Sequence, residues 1–325
     1  MTEHVIDLPG LDGQNPLGFL AGLGLLRVLD DHASRKSLAR PRLAFAEIPP
    51  FVVRLSTHGT LAQIKEIVLA DAAEQANSVA LRLAYDEGGE LCGPDAVDAT
   101  RDLKPPPPAA RRFLMLAGAA SRRDADLAAG MISDVVQDNN GASKPTSFHF
   151  TAGQQAFLEM IEALRVGVDE AAIDEALVGP WRNTSKLPSL GWDSSVARLY
   201  ALRASDPSGE KRGSVPASNW LAVHALALFP VMPERGRERP VLRTTNVGLG
   251  WKNVAYTWPL WTELADSRVI AAVLRLDSAR WTQRERLALG ISTVFRSRIL
   301  RSDQGGYGSF TPPEVVPPKR MRTST

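Results

Sequence analysis

Near its start the chain reads Val5-Ile6-Asp7-Leu8-Pro9-Gly10-Leu11-Asp12-Gly13-Gln14-Asn15-Pro16-Leu17-Gly18-Phe19-Leu20-Ala21-Gly22-Leu23-Gly24-Leu25-Leu26-Arg27-Val28-Leu29. Val5 to Leu8 alternates and reads as a short strand. Asp12-Gly13-Gln14 carries turn chemistry, since glycine accepts positive φ and aspartate bonds the backbone just ahead of it. Asn15 then suits a helix N-cap and Pro16 the first helical position, where its missing N–H goes unused. Leu17, Leu20, Leu23 and Arg27 recur at helical spacing, and Phe19, Leu26 and Leu29 widen the apolar side, so this helix is expected to be buried almost all round. Gly18, Gly22 and Gly24 inside it each cost roughly 1 kcal/mol against alanine, which close packing against a neighbouring element would offset.

Of the 325 residues, 44% are hydrophobic, enough for a sizeable core in one large domain or two ordinary ones. No apolar run reaches the roughly 18–20 residues of a membrane span, and no basic segment leads into an apolar stretch with a cleavage site. A cytoplasmic location without membrane association is therefore expected. Cys92 is the single cysteine, which excludes an internal disulfide and suits a reducing compartment. His4, His32, His58, His149 and His224 are widely separated, so no metal cluster and no cofactor are expected.

The net charge of +2 hides a segregation: residues 181–325 carry 22 Lys and Arg against 11 Asp and Glu, whereas residues 1–180 carry 16 against 25. All seven tryptophans (Trp181, Trp192, Trp220, Trp251, Trp258, Trp261, Trp281) lie in the basic half. Cations supply the phosphate-binding term and planar side chains can stack on bases. The competing reading places the tryptophans in the core and the arginines in solvent.

Further along, Arg42–Ala46 and Phe51–Leu55 read as strands flanking Pro49-Pro50. Thr60 caps a helix running to about Ala76 with Leu61, Ile64, Ile67 and Val68 inward, and Val79–Tyr85 alternates like a strand. Lys104–Pro108 is a stiff connector, Arg111–Gln137 is mostly helix-forming, and Asp138–Pro145 is a polar loop. That loop reads as a helix C-cap and turn, or as a surface offering the amides of Asn139 and Asn140 beside Lys144 to base edges. Phe148–Phe150 suggests a short strand and Thr151 a cap for a helix from Gln154 to Val166. Leu199–Ala204 suggests a strand, Asp206–Val215 an exposed excursion, and Trp220–Phe229 a buried helix in which His224 is a core histidine with a backbone partner. Arg235–Arg239 reads as a solvated loop, and Val241–Gly248 and Val254–Trp261 as strands of a hairpin around Gly250-Trp251-Lys252-Asn253. Val269–Leu276 reads as a strand or short helix, Thr282–Leu300 as a helix, and the last dozen residues as disordered. The resulting fold class is α+β: a mixed N-terminal domain over 1–150, a basic, Trp-rich α+β region over 151–310, and a tail over 311–325.

Signatures of catalysis are absent. Gly18–Leu23 lies in an apolar helix and no Lys-Ser/Thr follows it, so it is not a phosphate loop, and there is neither a nucleophile elbow nor a zincin motif. The expectation is a protein that is not an enzyme. The residues expected to hold phosphates are Arg182, Asn183 and Lys186; Arg243, Asn246, Lys252 and Asn253; and Arg296, Arg298 and Arg301.

The pattern Leu-Pro-Gly-Leu-Asp-Gly…Asn-Pro-Leu-Gly-Phe-Leu-Ala-Gly-Leu-Gly-Leu-Leu-Arg-Val-Leu over 8–29 resembles the opening of CRISPR-associated large-subunit proteins of the type I-G (formerly I-U) group, and Ser218–Pro230 is a second similar patch. Together they cover about a tenth of a chain that is shorter than the group's longer members. The resemblance implies a non-catalytic subunit of a Cascade-like antiviral complex. Its partners would be guide RNA, target DNA, other effector subunits and a helicase–nuclease. Its loops, among them Asn139, Asn140 and Lys144, would read the motif flanking the target, while base pairing carries the sequence. A cytoplasmic enzyme with a dispersed site, or a protein-only scaffold, are the alternatives.

Overall fold

In the computed structural model, which describes residues 4–151, 155–196, 213–250, 254–301 and 308–320, the opening stretch forms strand β1 (His4–Asp12), a turn and helix α1 (Pro16–Arg35). The Asn15 side chain accepts from the Leu17 N–H at 3.0 Å and Pro16 stands at the first helical position. Every residue from Pro16 to Leu26 is buried. The partner that buries it is α7 (Pro216–Ala225), whose residues are likewise all buried. Gly24 of α1 meets the Leu221 carbonyl so closely that a Cβ would overlap it, and Gly22 meets Val53. This is the close approach that the helical glycines require.

The chain is a mixed α+β protein with 39% helix and 24% strand. A three-stranded antiparallel sheet runs β1–β3–β2, with β2 at Arg42–Phe45 and β3 at Val52–Thr57. Helix α2 (Leu61–Glu74) follows, closed at its start by a capping box between Thr60 and Gln63. Helix α3 (Pro107–Ala120) lies against α4 (Arg122–Met131), and α4, α5 (Phe157–Val166) and α6 (Glu170–Leu177) pack around the α1–α7 pair. Two hairpins, β4 (Ile132–Gln137) with β5 (Ser143–Pro145) and β6 (Val231–Glu234) with β7 (Val241–Thr244), lie side by side. The last sheet is centred on β9 (Ile291–Arg301). It pairs β8 (Ala255–Trp261) along one edge and β10 (Gly308–Phe310) and β11 (Glu314–Val315) along the other. Helices α8 (Ser267–Leu274) and α9 (Gln283–Ala288) lie between β8 and β9 in the chain. The apolar core is contiguous from Leu8 to Val316 and runs across residue 150 without a break.

Several segments differ from the sequence reading. Thr282–Leu300 is a short helix and a strand: Gly290 takes φ +67° after α9, and burial from Ile291 onward follows a strand period. Val79–Tyr85 forms turns, because Asp124 of α4 accepts from Ser78 Oγ at 2.6 Å and the Ala80 N–H at 3.1 Å, leaving only Tyr85 to bridge Leu91 and Thr100. The end of the supposed helix to Gln137 is strand β4. Asp138–Ala142 is the turn of the β4–β5 hairpin rather than a helix cap, with Asp138 N–H donating to the Ala142 carbonyl at 2.8 Å. Phe148–Phe150 is irregular, and Thr151 bonds His149 rather than capping α5, whose N-cap is Ala156. Strand β7 pairs β6; the link to β8 is a bridge between Val247 and Tyr256, past the end of β7. Val269–Leu276 falls in helix α8. Residues 311–320, read as part of a disordered tail, supply β11 and a bond from Lys319 N–H to the Trp281 carbonyl at 2.9 Å. The strand read at Leu199–Ala204, and most of the excursion before Val215, lie outside the described residues.

The tryptophans are core residues. Trp192, Trp220 and Trp258 are fully buried, Trp261 and Trp281 nearly so. The indole N–H groups of Trp192, Trp258 and Trp261 donate to the carbonyls of Phe148, Gly13 and Leu43 at 2.8–2.9 Å. Buried indoles that find such partners fill volume and are withdrawn from base stacking; Trp181 is half-buried and Trp251 lies outside the described residues.

Candidate nucleic-acid interface

Three segments remote in sequence meet where the two hairpins adjoin. They are the β4–β5 turn (138–142) with Lys144, the β6–β7 loop (235–240) and the connection leaving β7 (245–250). Local chemistry sets each one. Asp138 Oδ1 accepts from the N–H groups of Asn140 at 2.8 Å and Ala142 at 3.1 Å, and Gly141 takes φ +82° to close the turn. Thr244 Oγ1 accepts from the Ser147 N–H at 2.9 Å and bonds Ser147 Oγ at 3.0 Å, so the end of one hairpin is tied to the other. Arg239 then reaches across to the Asn139 side-chain carbonyl at 2.7 Å.

Between these segments is an open cavity of about 570 Å³. Lys144, Arg235 and Arg237 supply its charge and Val241, Leu242 and Leu249 an apolar wall; among the described residues no carboxylate lines it. Of the acids nearby, Asp138 is engaged in its turn and Glu234 in an ion pair with Arg243, while Glu238 stands exposed on the β6–β7 loop between Arg237 and Arg239. Burial pushes the Lys144 ammonium below its usual range, and the charges of Arg239 and Arg301 push the same way, against Asp138. A cation depressed by neighbouring cations marks a positive potential that an anion would relieve.

The structure thus brings Asn139, Lys144 and Gly250 to one place, together with Arg235, Arg237 and Arg239 of the loop expected to be solvated, all three of which are exposed. The alternation Arg235-Gly236-Arg237-Glu238-Arg239 was the available signal. Asn140 is exposed beside them. Arg243 points outward from β7 to Glu234, and Asn246, at φ +62°, lends its carbonyl to the Thr257 N–H at 2.9 Å. Lys252 and Asn253 lie outside the described residues.

The other predicted groups sit elsewhere. Arg182 and Lys186 are exposed on the loop after α6, where Glu175 Oε1 accepts the Arg182 N–H at 2.6 Å; Asn183 is half-buried at φ +54°. Arg296 and Arg298 share one face of β9. Arg301 falls on the opposite, inward face, so the expectation that it holds phosphate is corrected by strand parity. Its guanidinium donates to the carbonyls of His149 at 2.9 Å and Ser147 at 3.0 Å and lies 5.3 Å from the centre of the Phe150 ring.

Two buried ionic clusters were missed in the sequence. Arg123 of α4 grips Asp71 of α2 with both terminal nitrogens, reaches Asp31 of α1 at 3.2 Å, and meets His224 Nδ1 of α7 at 3.3 Å. His224 is a core histidine whose partners are side chains rather than backbone. His149 Nε2 lies 2.7 Å from Asp102 and 2.8 Å from Thr151 Oγ1, with the ring 1% exposed. Both partners share one ring nitrogen. These clusters join four helices in one case and pin 148–151 to Asp102 in the other.

No family model matches the chain, and no curated protein is significantly similar to it. Among the described residues, no helix is long and apolar enough to cross a membrane.

Proposed function

We propose that this chain is a nucleic-acid-binding, non-catalytic subunit of an RNA-guided CRISPR effector complex of the type I-G kind, acting in the cytoplasm. The observation that carries the reading is the convergence of Lys144, Arg235 and Arg237 on one cavity, with Arg239 and Asn139 joining the loops beside it. The excess of basic residues across 181–325 and the resemblance of 8–29 to the large-subunit opening support it. In this reading backbone phosphates of guide RNA and target DNA are held by Lys and Arg, the hairpin loops face the flanking duplex, and other subunits and the helicase–nuclease dock on the same chain.

The test is fluorescence anisotropy of the purified chain with labelled RNA and duplex DNA over a salt series. Binding that weakens with salt, and is lost in the variant Lys144→Glu/Arg235→Glu/Arg237→Glu with its melting temperature retained, supports the reading. Unchanged affinity in that variant, or salt-insensitive association with protein alone, overturns it.

A further inference from the structure

The cavity is asymmetric in its chemistry, and a phosphate backbone alone uses only half of it. Lys144, Arg235 and Arg237 meet the requirements of a phosphate. The facing wall of Val241, Leu242 and Leu249 is apolar, and Leu249 is 48% exposed there. A backbone-tracking surface needs no such wall, because phosphate contacts are made at the rim of a groove by long cationic side chains. At about 570 Å³ the space lies within the roughly 300–1,000 Å³ of small-molecule pockets. That volume accommodates a ring as well as its phosphate.

We infer that the cavity between the two hairpins takes a single unpaired nucleotide, its phosphate against Lys144, Arg235 and Arg237 and its base against Val241, Leu242 and Leu249. The inference rests on the nucleic-acid reading above and deepens it: the ligand is a nucleotide freed from pairing rather than a run of duplex. The site is built to hold that shape. Gly236 lies so close to the Arg239 carbonyl and the Val241 side chain that a Cβ would crowd both, which keeps the Arg235–Arg237 turn tight against the apolar wall. Arg239 bonded to Asn139 fixes the spacing of the two loops from outside the cavity. The Lys144 ammonium, depressed by burial and by the charges of Arg239 and Arg301, adds an electrostatic reason for a phosphate to bind here. A base edge would find no fixed donor or acceptor in the apolar wall, so selection among the four bases should be weak.

A free mononucleotide and the unpaired end of a strand share this chemistry, and the experiment separates them. The full chain is titrated with a blunt duplex, the same duplex carrying a short single-stranded overhang, and that overhang with its bases removed, with AMP as competitor. The expected result is that the overhang binds several-fold tighter than the blunt or abasic forms. Leu249→Ser should abolish that preference while leaving the salt dependence intact. Arg235→Glu/Arg237→Glu should weaken all three nucleic acids together. Displacement of the overhang by AMP identifies free mononucleotide as a sufficient ligand; overhang preference without displacement identifies the strand end. Equal binding of the three nucleic acids with no effect of AMP overturns the pocket and leaves the nucleic-acid reading standing. Binding of AMP with no binding of any nucleic acid keeps the pocket and overturns the subunit reading. Competition by polyglutamate as strong as that by the overhang overturns both.

Discussion

Gly24 on α1 lies against the carbonyl oxygen of Leu221 on α7, so near that a β-carbon at position 24 would occupy the oxygen's place. The two most completely buried helices of the protein therefore meet backbone to backbone, and Gly130 of α4 makes the same kind of contact with the Leu226 carbonyl just beyond α7. Alanine at position 24 would gain roughly 1 kcal/mol of helix propensity, but it must push apart elements whose other residues are already close-packed. Overpacking of this sort costs typically 1–3 kcal/mol and sometimes more. Gly24→Ala should lower the melting temperature, whereas Gly118→Ala, where a β-carbon meets nothing within 4 Å, should raise it slightly. Thermal denaturation of the two variants decides the matter. A neutral Gly24→Ala would mean that the helices are looser than their geometry.

Asp71 and Arg123 form the second joint, between α2 and α4, with side chains 2% and 16% exposed. Deleting one partner leaves a buried charge uncompensated, at a cost of about 3–5 kcal/mol. Asp71→Leu and Arg123→Met should each be strongly destabilising in urea, and the double variant less so than the sum of the two. Additive losses would argue that the pair is solvated rather than buried.

The sequence was readable where local chemistry decides structure. Asn15 and Thr60 both cap the helices expected of them, and the glycines of α1 implied the close approach that α7 provides. It was unreadable where two periods coincide. Leu287, Ile291 and Val294 satisfy a helix, but Phe295, Ser297 and Ile299 satisfy a strand equally well, and only pairing with β8 selects the strand. The cavity was hidden for a different reason: Lys144, Arg235 and Gly250 are brought together by hairpin pairing, which no local pattern encodes. Tryptophans beside arginines are consistent with stacking surfaces and with cores alike. What decides for the core is that the indoles of Trp192, Trp258 and Trp261 find backbone acceptors inside it.

The two buried histidines predict how stability depends on pH. Burial holds the His149 imidazole below its usual range, with Asp102 only partly offsetting it. Burial together with the charges of Arg123 and Arg27 holds His224 well below. Both are neutral in the native state, whereas an unfolded histidine titrates near about 6.5. Below that pH the unfolded chain binds more protons, so stability is complete above it and declines as pH falls. Each histidine contributes up to about 1.4 kcal/mol per pH unit until its native form titrates. Asp102 adds to the decline at lower pH: burial raises its pKa, but bonds from His149 and Leu103 and the nearby Lys104 outweigh this, and the net shift is downward. Denaturant midpoints should fall between about pH 7 and 5, and His224→Gln should remove one proton's share of that slope. A flat profile would show that the imidazoles titrate in the fold as they do in the unfolded chain.

The three arginines of β9 should separate by strand parity. Arg296 and Arg298 stand opposite Thr257 and Ala255 on the face turned away from the core, where substitution leaves stability within about 0.5 kcal/mol. If they hold phosphates, each contact removed should make the slope of log affinity against log salt shallower by about 0.9 on duplex DNA, equally for all sequences. Arg301, on the other face, is pushed down to about 10 by burial and its guanidinium is committed to the carbonyls of His149 and Ser147. Removing it strands those carbonyls and withdraws the cation from Phe150, at a cost of roughly 1–3 kcal/mol for buried groups left unsatisfied. Arg298→Gln should therefore weaken nucleic-acid binding at unchanged stability. Arg301→Gln should lower stability and leave the salt slope unchanged in whatever fraction remains folded. Denaturation and salt-dependent anisotropy on the two single variants measure both quantities. An Arg301 variant of full stability with a reduced salt slope would place that guanidinium on the ligand, and the inward assignment would fall.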